Sequence, residues 1–358
     1  MDCLRESAAA PSRPATMSED NSANIVAGPT PGGQVERPMT MQVSVVVGTY
    51  NRAQLLKGTL EALASQEAPS SLKWEIIIVD NNSRDTTAQV VTAFSKTTAT
   101  PLRYVFEPQQ GLSHARNRGI KEARGSIIAF TDDDVLPAPD WIVQVAAAID
   151  RWNAHGVGGR ILPRWEALPP RWLTDNRRLL DRIAIMDFEE SCLLTLPLEA
   201  QPQVWGANMA FRRELFERVG EFDPRRGIVG KKLFRSEDTD LINRALEHGL
   251  KIAYDAALTV VHRIGSDRMR KAYFRRLMFD AAQVGARTNP VSSGRSFLGA
   301  PLWSYRLALT DFWKLVGLVL LRRPGTFDQQ LTWLSSAGTL AGYWKVGLVR
   351  HFARKSKL

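Results

Sequence analysis

Ser126-Ile-Ile-Ala-Phe-Thr131 runs straight into Asp132-Asp-Asp134. Four apolar residues in a row read as a buried strand, and the aspartates stand at its carboxyl end. Three adjacent carboxylates repel one another unless a cation or solvent relieves them. Residues i and i+2 of an extended strand point the same way, so Asp132 and Asp134 are expected to face one ligand while Asp133 points elsewhere. Hard carboxylate oxygens suit Mg2+ or Mn2+. The plainer alternative is a solvated acidic loop.

Upstream, the same pattern repeats. Val43-Ser-Val-Val-Val47, Trp74 to Asp80 and Leu102 to Phe106 read as strands, and Leu55 to Ala64 has helical spacing. Ser83 or Asp85 is placed to cap the helix after the second strand, and Ser113 to cap one that Gly125 stops. Nearly all-apolar strands alternating with helices predict an α/β fold, its mostly parallel sheet covered by helices on both faces. Ligands of such sheets bind beyond the carboxyl ends of the strands. Three of those ends are polar here: Thr49-Tyr50-Asn51, Asp80-Asn-Asn82 and the triple aspartate. The first strand leads into Gly48-Thr-Tyr-Asn-Arg-Ala-Gln, without the glycine spacing of a dinucleotide-binding turn, and no Walker A loop occurs.

Downstream, Pro163 to Pro202 holds several prolines and tryptophans and reads as irregular loops. Order is expected to resume at Val204 to Arg212 and in a helix from Asp240 to His248, just after Glu237-Asp238.

The chain has 358 residues, 44% hydrophobic and 23% charged, which excludes a wholly disordered or collagen-like polymer. Residues 1–40, rich in Ala, Pro, Ser and Gly, are expected to be disordered and lack the apolar stretch of a signal peptide. Two cysteines, Cys3 and Cys192, make neither a disulfide framework nor a four-cysteine zinc site, and a cytoplasmic setting is expected. The net charge of +10 is unevenly spread: Arg263–Leu358 carries 17 basic and 4 acidic residues, leaving 30 basic and 33 acidic before it. No nucleic-acid recognition motif accompanies that charge, so an anionic lipid surface is the expected partner and nucleic acid is not.

The segments VSVVVGTYNR, EIIIVDNNSRDTT, GLSHARNRGIKEARGSIIAFTDDD, WGANMAFRRELFERVGEFD and SEDTDLINRALEHG, in this order, resemble the motif series of family 2 glycosyltransferases. The resemblance spans Gln42 to His262 and implies a GT-A fold over residues 41–264, a nucleotide-sugar donor, a Mn2+ or Mg2+ ion and inversion at the anomeric carbon. It implies roles residue by residue. Thr49, Tyr50 and Asn51 would border the nucleotide, Asp80 would bond the base, and Asn82, Arg116, Asn117 and Asp133 would lie on the donor side. Asp132 would meet the ribose or the metal, and Asp134 would ligate the metal. Asp238, paired with Glu237, would be the general base. Trp205, Gly206 and Asn208 would face the acceptor, a glycan or a lipid-linked sugar. His262 lies where some members place a further metal ligand.

Each role has a plainer counterpart. Asp238 or Asp240 could cap the helix, Glu237 could be solvated, and Arg116 could belong to an exposed basic helix face. His262 and Trp205 could be core. An inverting transfer requires one carboxylate to take the acceptor proton and a cation to offset charge on the departing diphosphate. Asp238 and Asp134 answer to those two roles, with a UDP-sugar the favoured donor. A nucleotidyltransferase on a similar sheet, or a sugar-nucleotide-binding membrane module without turnover, are the rival readings.

Residues 265–358 read as a basic, amphipathic helical region. Arg268 to Phe279 has the pattern of a basic interfacial helix. Leu302 to Leu321 is apolar but contains Arg306, Asp311 and Lys314, and Leu331 to Val349 contains Lys345 with several Gly and Ser. A mid-helix charge opposes insertion across a bilayer, so the first segment is not expected to span. The alternative is a helical layer packed on the preceding domain.

Overall fold

A computed structural model describes residues 41–198, 201–225, 237–288 and 295–355. The disorder expected for residues 1–40 lies outside the described residues. The first half alternates as the sequence predicts: β1 (Val43–Thr49), α1 (Ala53–Ala64), β2 (Trp74–Asp80), α2 (Thr87–Ser95), β3 (Leu102–Phe106), α3 (Leu112–Glu122) and β4 (Ile127–Asp132). There follow β5 (Val135–Pro137), α4 (Trp141–Arg151), β6 (Gly156–Trp165), α5 (Arg171–Thr174), α6 (Arg177–Arg182), β7 (Cys192–Leu193), β8 (Met209–Arg212), α7 (Arg213–Val219), α8 (Glu237–Glu247) and β9 (Ile252–Ile264). The chain closes with α9 (Lys271–Thr288), β10 (Ser296–Phe297), β11 (Ala300–Pro301), α10 (Leu302–Leu320) and α11 (Thr326–Lys355).

One sheet holds the molecule together, in the order β3-β2-β1-β4-β8-β6-β9-β5, with β7 on β9. The first four strands are parallel, and their valines and isoleucines are buried on both faces. Thr49 pairs with Asp80 and Gly48 with Asp132, so the polar ends stand level along one edge. β1 has β2 on one side and β4 on the other, which makes the gap beyond β1 and β4 the switch point where such sheets take ligands. β8 and β5 run antiparallel to their neighbours, and β5 sets Val135 opposite His262.

The structure corrects three local expectations and extends a fourth. Gly111, at φ 146°, stands at the N-cap of α3, while Ser113 lies within the helix and donates to the Asp223 carbonyl. Asp85 does stand at the start of α2, but it also accepts from the Ala53 N–H, tying the starts of α1 and α2 together. The stretch expected as irregular loops carries the end of β6, then α5, α6 and β7; β6 runs parallel to β9 across a register shift at Gly159/Arg160. Helix α8 begins at Glu237, which puts Glu237, Asp238 and Asp240 in its first turn.

The region after His262 packs on the rest. Phe274, Leu277 and Leu331 share a buried cluster with Leu173, Leu179 and Ile264, and Trp172 meets Phe274 and Phe327 edge-on. α11 lies against α9 because Gly338 and Gly342 carry no side chain: a Cβ there would stand 2.4 Å from the carbonyl oxygens of Phe279 and Gln283. Among the described residues no helix is long and apolar enough to cross a membrane.

Candidate active site

Beyond β1 and β4 lies a crevice of about 150 Å³, lined among others by Thr49, Tyr50, Arg52, Asn81, Asp132 and Asp133. β4 ends at Asp132, and the chain turns through Asp133 and Asp134 into β5. Strand alternation therefore stops where the aspartates begin. Asp132 and Asp133 line the crevice together, contrary to the expectation that Asp133 points elsewhere, while Asp134 is buried against β9. Asp133 accepts from the Thr49 hydroxyl at 2.8 Å and from Arg52 at 3.0 Å. Burial pushes its carboxyl up to about 6 against the pull of Arg52, with Asp134 adding to the rise.

Asp134 sits in a cationic nest. One carboxylate oxygen accepts from Arg52 at 3.0 Å and from Arg268 at 3.1 Å; the other lies 3.5 Å from His262 Nε2. Burial acts to raise its pKa, but His262, Arg268 and Arg52 hold it well below the usual carboxylate range. Arg268 also lies 2.9 Å from His262 Nε2, and the buried His262 Nδ1 has no partner among the described residues. No group of three or more His, Cys, Asp or Glu among the described residues is arranged to hold a metal. Asp134 and His262 supply an oxygen and a nitrogen 3.5 Å apart, donor types that a divalent cation takes, but Arg52 and Arg268 occupy them here.

Arg116 forms the second cluster. It projects from α3 and is buried. One guanidinium nitrogen donates to Asp238 at 2.5 Å and to Glu237 at 3.1 Å, and the other reaches Asp132 at 3.4 Å. This single side chain joins the end of β4 to the first turn of α8. It is not an exposed basic face. Burial alone would lower its pKa, yet Asp238, Glu237 and Asp132 raise it above its normal value. The second Asp238 oxygen accepts from the Gly206 N–H at 2.7 Å. A Cβ at residue 206 would stand 1.8 Å from an Arg116 nitrogen, so this close approach requires glycine. Neighbouring Trp205 is half-buried, and its indole N–H has no partner among the described residues.

Five expected site residues are committed to structure. Asp80 accepts from Ser83 N–H and from the Tyr104 hydroxyl, both at 2.8 Å. Asn117 makes two bonds to the backbone of Phe222. Asn208 is fully buried, donates to the carbonyls of Arg160 and Leu258, and accepts from the Trp141 indole. Asn51, at φ 53°, accepts from the Arg84 N–H. Asn82 reaches the Pro108 carbonyl at 3.3 Å. None of these five is among the crevice-lining residues.

The sequence reading passed over Arg52, Asn81 and Arg268. Asn81 accepts from Gly111 N–H and donates to the carbonyls of Glu107 and Gln109, which fixes the loop that closes one side of the crevice. Arg52 and Asn81 each adjoin a polar strand end, so their position was the available signal. Arg268 lies 134 residues from Asp134, and nothing local marks it.

Comparison with known proteins agrees with this architecture. Residues 44–220 match the family described as Glycosyl transferase family 2. The chain is 28% identical to the glucosyl-dolichyl phosphate glucuronosyltransferase of Haloferax volcanii over 63% of its length and 70% of that protein's. It is 37% identical to the validoxylamine A glucosyltransferase of Streptomyces hygroscopicus subsp. jinggangensis, over 62% of its length but only 54% of the relative's. Its fold is similar to that of the mannosyltransferase PcManGT from Pyrobaculum calidifontis, solved with GDP-Man and Mn2+, with a TM-score of 0.56, 21% identity, and coverage of 85% and 87% of the two chains. The parallel half-sheet, its switch-point crevice, the matched family and the similar fold lead to one conclusion: residues 44–220 form a glycosyl transferase family 2 domain with the GT-A fold.

Proposed function

We propose that the chain is an inverting, metal-dependent glycosyltransferase that moves a sugar from a nucleotide-sugar donor, a UDP-sugar in the first instance, to a glycan or lipid-linked acceptor. The observation that carries this reading is Arg116, which holds Asp132 of the crevice and Asp238 of α8 on one guanidinium. A donor-side carboxylate and an acceptor-side carboxylate are thereby fixed relative to each other, as a single displacement requires. The dolichyl-phosphate relative favours a lipid-linked acceptor.

In this reading Thr49, Tyr50, Asn81 and Asp133 bound the nucleotide. Asp134 and His262 would hold Mn2+ or Mg2+, whose chemistry when bound is to offset charge on the departing diphosphate. Arg268, 2.9 Å from His262 Nε2, would have to leave that nitrogen for a cation to reach it. Asp238 takes the acceptor hydroxyl proton. Both its oxygens already accept one hydrogen bond, from Arg116 and from Gly206, and each keeps a lone pair for that proton. Those two bonds fix the direction of the free lone pairs. Trp205 offers an apolar face, and an N–H with no partner among the described residues, beside Gly206 for the acceptor sugar. Residues 41–264 would carry the chemistry, and residues 265–358 would hold the enzyme at the cytoplasmic face of an anionic membrane.

Release of nucleoside diphosphate from UDP- and GDP-sugars, with Mn2+ and an acceptor mixture, tests the reading. Asp238→Asn is expected to cut transfer by about 10³, within the range of a lost general base, and to leave donor binding intact. Equal loss of donor affinity would make Asp238 a structural post. Release of pyrophosphate would identify a nucleotidyltransferase instead.

A further inference from the structure

Helix α10 is built inside out. The side that packs against α11 carries Ser304 and Asp311, 1% and 4% exposed, and the Ser336 hydroxyl of α11 donates to Asp311 at 2.5 Å. The opposite side carries Leu309, Trp313 and Leu320, 59%, 66% and 76% exposed. Leu302 lies seven residues before Leu309, and Leu320 seven after Trp313, so these side chains form one stripe along the helix. A helix facing water on its outer side shows the reverse order. A continuous apolar stripe of this kind marks an interaction surface.

We propose that the outward face of α10 is the surface by which the chain lies in the interface of an anionic phospholipid bilayer. The inference rests on the membrane-side setting proposed for the transferase, and it names the element that makes contact. Charge selects the occupant. Arg306 and Lys314 are exposed on α10, Arg322 and Arg323 follow it, and its one acidic residue, Asp311, is turned inward. The outer face therefore presents Arg306 beside Leu and Trp, with Lys314 on the flank at 4.0 Å from Asp311, the composition of a helix lying in the plane of a bilayer. Three charges within α10 oppose a crossing orientation. The α9 helix expected from the sequence to meet lipid has instead placed Phe274 and Leu277 in a shared core.

The test uses the full chain and vesicles of phosphatidylcholine with about one quarter phosphatidylglycerol. Co-sedimentation is expected with these vesicles and not with phosphatidylcholine alone. It should weaken by about threefold to tenfold between roughly 0.1 M and 0.5 M salt without vanishing, since screening acts on the charges and not on the apolar stripe. Leu309→Glu with Trp313→Glu should reduce binding at least about tenfold and leave the melting temperature unchanged. Should that pair impair folding, Trp313→Phe with brominated-chain lipids gives a second readout: quenching of tryptophan emission must be smaller than in the unaltered chain. Absence of vesicle binding, equal binding by the double variant, or equal quenching by Trp313→Phe overturns the proposal. So does a lipid-free dimer that Trp313→Glu dissociates. Nucleoside diphosphate release in vesicle-free buffer reports on the transferase reading alone, so failure of either idea is seen separately.

Discussion

Helices α4 and α10 differ in what they hide. α4 turns Trp141, Ile142, Val145 and Ile149 into the core, all fully buried, and shows Asp150 and Arg151 to solvent. α10 turns Ser304 and Asp311 inward and shows Leu309, Trp313 and Leu320. The same side-chain chemistry is thus sorted in opposite directions within one chain. Burial follows the medium on the far side of the helix, and α4 has water there. The apolar content of a helix alone does not reveal which side faces in.

The sharpest way to break this comparison is to remove the second region. Truncation before Gly265 deletes Phe274, Leu277 and Leu331, which share a core with Leu173 and Leu179, and removes Arg268 from Asp134. The remaining 264 residues are expected to lose cooperative melting or to aggregate. Circular dichroism and scanning calorimetry would show it. A soluble, cooperatively melting fragment would mean that the sheet stands without its helical layer.

A smaller effect is expected in α4. Trp141→Ala removes a fully buried side chain and the indole bond to Asn208, and should cost about 3–5 kcal/mol by urea denaturation, as for other buried tryptophans. The smallest effect in the comparison belongs to the polar inner face of α10. Asp311→Ala removes the short bond from the Ser336 hydroxyl, which keeps the Thr332 carbonyl at 3.3 Å, and should cost about 0.5–1.5 kcal/mol. A gain in stability from Asp311→Ala would show that the inward polar pair opposes the packing of α10 on α11.

Much of the parallel half was legible because strand and helix periods are local. β2 and β3 were placed at their observed limits, and the crevice was found from three polar strand ends. The loss began where position depends on distant partners. Pro163 to Trp165, within the stretch read as loops, become the end of β6 by pairing with β9. Asp133 was misdirected because the reading extended strand alternation one residue past the end of β4. The commitment of Asn117 and Asn208 to distant backbone groups has no local signature, and neither has Arg268. Gly338 and Gly342 of α11 read only as composition in the sequence; the structure gives them a packing role against α9.

At the opposite edge of the sheet from the crevice, Glu75 is 1% exposed. It accepts from the Ser44 hydroxyl of β1, from Arg103 of β3 and from the Arg124 N–H that precedes β4. One carboxylate of β2 thus ties together β1, β3 and the loop that leads into β4. Its partners lie 28 to 49 residues away along the chain, so the set is complete only after every unit has docked. That places the knot late on the folding route. Glu75→Gln is expected to speed unfolding far more than it slows folding, a shift confined to the unfolding arm of a chevron plot.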